Sequence, residues 1–374
     1  MRLELIFAFF ALLGVIDQVM GNKFRLGQAF EKGLMTAGPL ILSMAGMIVL
    51  SPVLAQGVSK VMVPICSAIG MDASVLSGFF AVDAGGASMA YALSEDETIR
   101  AYNGIVVASM LGATICPVIP LAMQMVKKEL HEDVLMGLLC GIAAIPAGCV
   151  LSGILMGCGF VPLVMNSLPM LVISAVICLG LWKNPPLITK LFGLLGKILM
   201  AFVSVGLLLG MLDLFAGVKV FEKMASLNEA FSIIGNIAVI LAGVFPMLEI
   251  VSRLLKRPMA WFSKRLGVTD LAVLGLVTTL ANSIPVFSML ENMDKKGRIL
   301  NMAFAVSAGY VFGDHMAFVL SYDRAYALPM VAGKLLGGIV AVVLAIWSIN
   351  RKKAGHCHDD GRQFDREAAN HLSL

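Results

Sequence analysis

Apolar and polar positions in this chain separate on the scale of whole membrane spans. Unbroken apolar stretches run over about 2–20, 34–51, 101–126, 134–158, 162–182, 189–212, 229–250, 299–321 and 325–349. A helix needs roughly 17–25 such residues to cross the hydrocarbon of a bilayer. Two further apolar stretches are interrupted. The stretch 71–94 breaks at Asp83-Ala84-Gly85-Gly86, and 267–292 breaks at Asn282-Ser283-Ile284-Pro285. After Arg351 the pattern ends in RKKAGHCHDDGRQFDREAANHLSL, whose polarity predicts a disordered cytoplasmic tail over 351–374. The pattern predicts an all-α polytopic membrane protein.

The placement of Lys and Arg orients these elements. The basic residues 351–353 assign the C-terminus to the cytoplasm, since cytoplasmic loops carry the excess of positive charge. Counting back over 325–349 and 299–321 brings the basic run 295–298 to the same side, and 253–265 is also basic. Both ends of 267–292 then face the cytoplasm. That segment is therefore expected to turn back on itself as a re-entrant hairpin with its tip at 282–285. Irregular backbone at membrane depth survives only when buried in protein or lining a cavity. The flanks of 71–94 are poor in Lys and Arg, and Ser94-Glu95-Asp96-Glu97 follows directly. This segment is expected to enter from outside.

The two halves repeat at an offset of about 196 residues. Ser51-Pro52-Val53-Leu54 aligns with Phe245-Pro246-Met247-Leu248, Gly70 falls near Gly267, and the break at Asp83 falls on that at Asn282. Arg100, Asn103 and Ser109 match Arg298, Asn301 and Ser307, and MGLLCG matches AGKLLG. The expected organisation is a first span and cytoplasmic loop (1–33), repeat 1 with its outside-entering hairpin (34–158), two linking spans (159–228), repeat 2 with its cytoplasmic hairpin (229–350), and the tail. That gives about nine spans plus two hairpins in two inverted repeats, the arrangement of secondary transporters. The segments 56–69 and 253–266 are expected as arms at the membrane interface, the second pairing Trp261 and Phe262 with basic residues.

Composition agrees and excludes other classes. The chain is 59% hydrophobic and 14% charged, and its mean hydropathy is +0.90. The net charge of +4 is spread over loops without the framing of a nucleic-acid site. The seven cysteines lie at irregular spacing without a CxxC pair. There is no GxxxxGK[ST], Ser-His-Asp arrangement or HExxH, so neither an ATP-driven pump nor a hydrolase is indicated, and no cofactor or metal is called for. The sequence leaves the oligomeric state open, a homo-oligomer included.

Ionisable and strongly polar groups inside membrane segments are costly and point to function. Asp83, with Gly85 and Gly86 beside it, can meet a cation or cap the second half of its hairpin. Asn282 and Ser283, followed by Pro285, can satisfy the broken backbone or bond a substrate hydroxyl. Asp314 and His315, placed inside the span 299–321, can relay protons, bind a cation or hold each other. Asn301 can line a pathway or bridge helices. The paired residues Glu249 and Arg253, and the residue Asp17 near the inner end of the first helix, read as ordinary surface groups.

The stretches VDAGG, LANSIPVF, KKGRILNMAFAVSAGYVFGDHMAF and PMVAGKLLGG together resemble the EutH family, the ethanolamine transporters encoded with bacterial ethanolamine-utilisation genes. The likeness extends from about Gly33 to Trp347 and is most specific from Leu280 to Gly338. It departs from the family pattern at Ala84, Ser283 and Ala317. The resemblance implies a bacterial cytoplasmic-membrane protein, not an enzyme, that imports ethanolamine. A transporter of another small organic cation or amino acid on the same scaffold, proton- or sodium-coupled, is the alternative. A membrane enzyme acting on lipid head groups would need a catalytic cluster at one membrane face. The implied substrate suits Asp83, Asp314 and Asn282, which offer carboxylates for an ammonium and an amide for a hydroxyl.

Overall fold

A computed structural model describes residues 3–80, 86–254 and 256–371, with side chains as far as Arg351 apart from 3–4, 79–80, 116–117 and 256–257. Every regular element among the described residues is helical. Six helices are long and apolar enough to cross a membrane: Leu26–Ala68, Lys128–Leu155, Phe160–Lys183, Pro185–Ala216, Leu227–Leu254 and Arg324–Arg351. Leu5–Val19 and Asp270–Ala281 are shorter apolar helices.

Three stretches depart from the expected pattern. The helix Leu26–Ala68 absorbs both the span 34–51 and the arm 56–69, running through Pro52 and Pro64. Packing holds it: a Cβ at Gly46 would stand 1.7 Å from the Val203 carbonyl oxygen, and one at Gly206 2.3 Å from that of Gly46. Small residues let two membrane helices approach this closely. The arm at 253–266 does form a separate helix, Lys256–Leu266, with Trp261 and Phe262 exposed and stacked edge to face.

The stretch 101–126 is helical throughout but wound as π-helix over Tyr102–Gly112 and Thr114–Val118. Every residue of Tyr102–Gly112 is buried. The third departure matters most. The expected span 299–321 is two helices, Lys295–Ala308 and Asp314–Tyr322, separated by a turn at 309–313.

The interrupted segments are closed at their ends in corresponding ways. In the first, Ser94 Oγ donates to Asp72 Oδ2 at 2.7 Å. In the second, the Thr269 N–H and hydroxyl donate to Asp294 Oδ1 at 2.9 and 3.0 Å. Burial would raise the Asp294 carboxyl, but hydrogen bonds from the Thr269 and Gly297 amides and the Thr269 hydroxyl outweigh it and hold it below the usual range. Gly70, just before the first segment, and Gly267, the first residue of the second, both have positive φ, +69° and +62°, as glycine readily does. Asp96 and Asp294 each cap the helix that follows. Arg100 donates to Ser94 O and Arg298 to Met293 O. Asn103 Nδ2 reaches Ser74 Oγ at 2.9 Å, and Asn301 Nδ2 reaches Ala272 O at 2.9 Å.

The helix His131–Leu155 forms the spine between the halves. Its Gly137 and Gly141 lie against Met302 and Val306, and its Gly148 against the Gly333 carbonyl. Ser152 Oγ donates to Pro329 O at 2.9 Å. At one end Asp133 bonds Arg298 Nε and Nη2 at 2.9 and 2.8 Å. Deep inside, the fully buried Lys334 donates from Nζ to Ser109 O at 2.8 Å, tying the last long helix to the π-wound segment. Asp17, read from sequence as an ordinary interface residue, is 3% exposed. It accepts from the amides of Phe24, Leu26 and Gly27 and so fixes the start of Leu26–Ala68.

Candidate functional site

Two interrupted helices meet in the C-terminal half of the chain. The helix Asp270–Ala281 ends when Asn282 turns to extended backbone (φ −158°, ψ 126°), and Ile284–Met289 restarts the helix with Pro285 in its first turn. Pro suits that position because its missing N–H has no intrahelical partner there. Asn282 Oδ1 accepts the Ile284 N–H at 2.8 Å.

A break at membrane depth frees backbone groups, and here the second break satisfies the first. The Tyr310 N–H donates to Thr279 O at 3.0 Å, and the Phe312 N–H to Leu280 O at 2.8 Å. These bonds take carbonyls at the end of Asp270–Ala281 that lose their helical partners. The approach needs glycine on one side: a Cβ at Gly313 would stand 2.0 Å from the Ala281 carbonyl oxygen. It also forces Tyr310 into the left-handed region at φ +60°. A bulky residue adopts that conformation only where its surroundings impose it, and such strain gathers at functional sites.

The crossing opens onto two cavities. One, of about 510 Å³, is lined by Asn282, Ile284, Tyr310 and Asp314 together with Lys32, Thr36, Ser43 and Phe245. The other, of about 450 Å³, continues past Asn282 and Pro285 to Glu249 and Ser252. Lys32, Phe245 and Asn282 line both. The Lys32 ammonium sits 5.9 Å from the centre of the Phe245 ring. Glu249 is held by Arg253, whose Nε and Nη2 donate to Oε1 at 3.1 and 2.7 Å.

Of the residues singled out from sequence, the structure brings Asn282, Pro285 and Asp314 to these cavities. Asp314 opens the helix Asp314–Tyr322, not the middle of a span, and an acid at a helix start meets the positive end of the dipole. Its neighbour His315 does not share that exposure. It is 1% exposed, with its ring 5.4 Å from that of Tyr310. Ser283 is fully buried, its Oγ lying beneath Gly309. Asn301 is buried between helices, its Nδ2 also reaching Gly297 O at 2.9 Å. Gly86 is buried at the start of Gly86–Leu93. Asp83 and Gly85 lie outside the described residues. Lys32, Phe245 and Tyr310 were missed by sequence reasoning. Gly309 and Gly313, bracketing Tyr310, were the one available signal of a second break.

The fold and site define a multi-pass helical membrane protein whose interrupted helices present an acid and an amide to two cavities that share lining residues. A family model described as "Ethanolamine utilisation protein, EutH" matches residues 3–348. The chain is 39% identical over 343 residues to the probable ethanolamine permease EutH of Listeria monocytogenes serotype 1/2a (strain 10403S), covering 91% of this chain and 92% of that one. It is 31% identical over 402 residues to the probable ethanolamine permease EutH of Salmonella typhimurium (strain LT2), covering 97% of each. The uncharacterized protein YxeR of Bacillus subtilis (strain 168) is 34% identical over 343 residues, covering 91% of this chain and 93% of the other. No solved structure matches the chain. The chain belongs to the EutH family.

Proposed function

We propose that this protein is a permease that carries ethanolamine inward across the bacterial cytoplasmic membrane by alternating access. The observation that carries this reading is the cavity in which Asn282 and Asp314 meet at crossed helix breaks, in a chain whose relatives are named ethanolamine permeases. Ethanolamine is a primary amine and is charged at neutral pH. The Asp314 carboxylate takes its ammonium, and the Asn282 amide takes its hydroxyl oxygen. Thr36 and Ser43 add hydroxyls to the same wall. The negative charge of Asp314 on the cavity wall favours a cationic solute over a neutral one. On sequence grounds, Asp83 and Gly85 are proposed as further substrate-binding residues.

Inverted repeats are the frame for this motion. They are supported by the matched closures Asp72–Ser94 and Thr269–Asp294, and by the matched amide contacts of Asn103 and Asn301. The π-wound segment occupies in repeat 1 the position of the broken span in repeat 2, and π-turns collect at functional places in helices.

The test is uptake of labelled ethanolamine at low external concentration by cells with and without the protein. Faster uptake with the protein is expected; equal uptake would remove the substrate assignment.

A further inference from the structure

The path past the helix breaks already contains an ammonium. Lys32 stands on the helix Leu26–Met35, lines both cavities, and rests over the Phe245 ring at 5.9 Å. Phe245 and Asn282 are likewise common to both cavities, and Asp314 lines one of them. A substrate ammonium moving between Asp314 and the Glu249–Ser252 end must pass the surface that Lys32 occupies. Aromatic faces attract ammonium groups, and Phe245 offers the same face to either cation. The Lys32 charge sits on a flexible four-carbon stem and is exposed, so it can shift within the cavity at little cost. Glu249, the other acid along this path, already has its partner in Arg253.

We infer that Lys32 is a release residue, an internal ammonium that competes with the substrate's ammonium for the cavity between Phe245 and Asp314. Resting on the reading of the site as an ammonium-substrate permease, this assigns Lys32 a part in specificity and turnover. Two like charges in one partly desolvated cavity repel. Lys32 therefore weakens substrate binding from the Glu249 side, which the basic segments mark as cytoplasmic, and speeds departure there. Arg, with the same charge, should substitute for it; Gln should not.

The test uses the full protein in vesicles with Lys32→Gln and Lys32→Arg. Substitution at this exposed position should leave folding intact, which membrane abundance checks. Lys32→Gln is expected to lower the half-saturating ethanolamine concentration on the cytoplasmic side by about threefold or more and to slow maximal release. Lys32→Arg should stay near wild type. If wild type carries ethanolamine and Lys32→Gln keeps the wild-type cytoplasmic half-saturation, the release role is overturned while the permease reading stands. If wild type does not carry ethanolamine, binding of methylammonium and propanolamine to purified wild type and Lys32→Gln decides the Lys32 assignment. Tighter binding to the variant upholds it; equal or absent binding to both overturns it.

Discussion

Asp133 and Arg298, one on each half of the chain, meet through two hydrogen bonds of 2.9 and 2.8 Å with side chains only 8% and 14% exposed. The pair fixes the spine helix His131–Leu155 against the helix Lys295–Ala308. Removing one partner of a buried pair costs roughly 3–5 kcal/mol when the other charge is left alone, and Lys295 Nζ, 3.7 Å from Asp133 Oδ1, offsets part of that cost. Arg298→Met should therefore lower the thermal midpoint in detergent. The combination with Asp133→Leu should recover part of the loss, so the double-mutant cycle is non-additive. Simple addition of the two losses would show that the pair is not coupled.

Asp314 supplies a carboxylate to the cavity lined by Asn282 and Tyr310. Asp314→Asn keeps the shape and removes the charge, and a hydrogen bond to a charged group contributes about 1.5–3 kcal/mol. Ethanolamine uptake at low substrate should fall by about tenfold or more, with membrane abundance unchanged. Uptake at the wild-type rate would exclude Asp314 from the path.

Gly313 has no room for a methyl group, since the Cβ would come within 2.0 Å of the Ala281 carbonyl oxygen. Gly313→Ala should separate the two breaks and destabilise the protein by about 1–3 kcal/mol, as overpacking does. A melting curve in detergent measures this directly.

The second hairpin closes on Asp294, whose carboxyl lies below the ordinary range because backbone and hydroxyl donors outweigh its burial. A depressed value stabilises the fold above the unfolded-state pKa, and this is lost as pH falls through the folded-state value. Thermal midpoints should be flat near neutrality and fall on the acid side of about pH 4. In Asp294→Asn the neutral-pH midpoint should be lower and the acid slope shallower.

Inverted repeats require the ends of the two hairpins to face opposite sides. Ser94 is buried, so the exposed neighbours Glu95 and Lys295 are the better reporters. Cysteines placed there should react with an impermeant maleimide from outside at 95 and only after permeabilisation at 295. Labelling of both from outside would end the inverted arrangement.

Much of this was legible because charge and turn chemistry are local. Asn282-Ser283-Ile284-Pro285 carries the break in its own residues, and the structure breaks there. The break at 309–313 was hidden. Tyr310, Val311 and Phe312 are apolar enough to continue a span, and the turn is imposed by the Thr279 and Leu280 carbonyls, which are distant in sequence. The same reason hid Lys334, which looked like one letter of a repeated motif until Ser109 was placed beside it. Asp314 and His315 looked like a unit because they are adjacent. They open the same helix but face different sides, Asp314 lining the cavity and His315 buried against Tyr310.

The bonds from Tyr310 to Thr279 and from Phe312 to Leu280 are main chain to main chain. Short of proline at 310 or 312, which would delete a donor N–H, no substitution at the bonded residues themselves removes them, and no change of protonation switches them. The floor that holds Asn282 and the floor that holds Asp314 are thus one casting, and cannot slide past each other without unmaking it. In the proposed transport cycle the moving parts are then the walls, above all the helix that carries Lys32 and the one that carries Phe245.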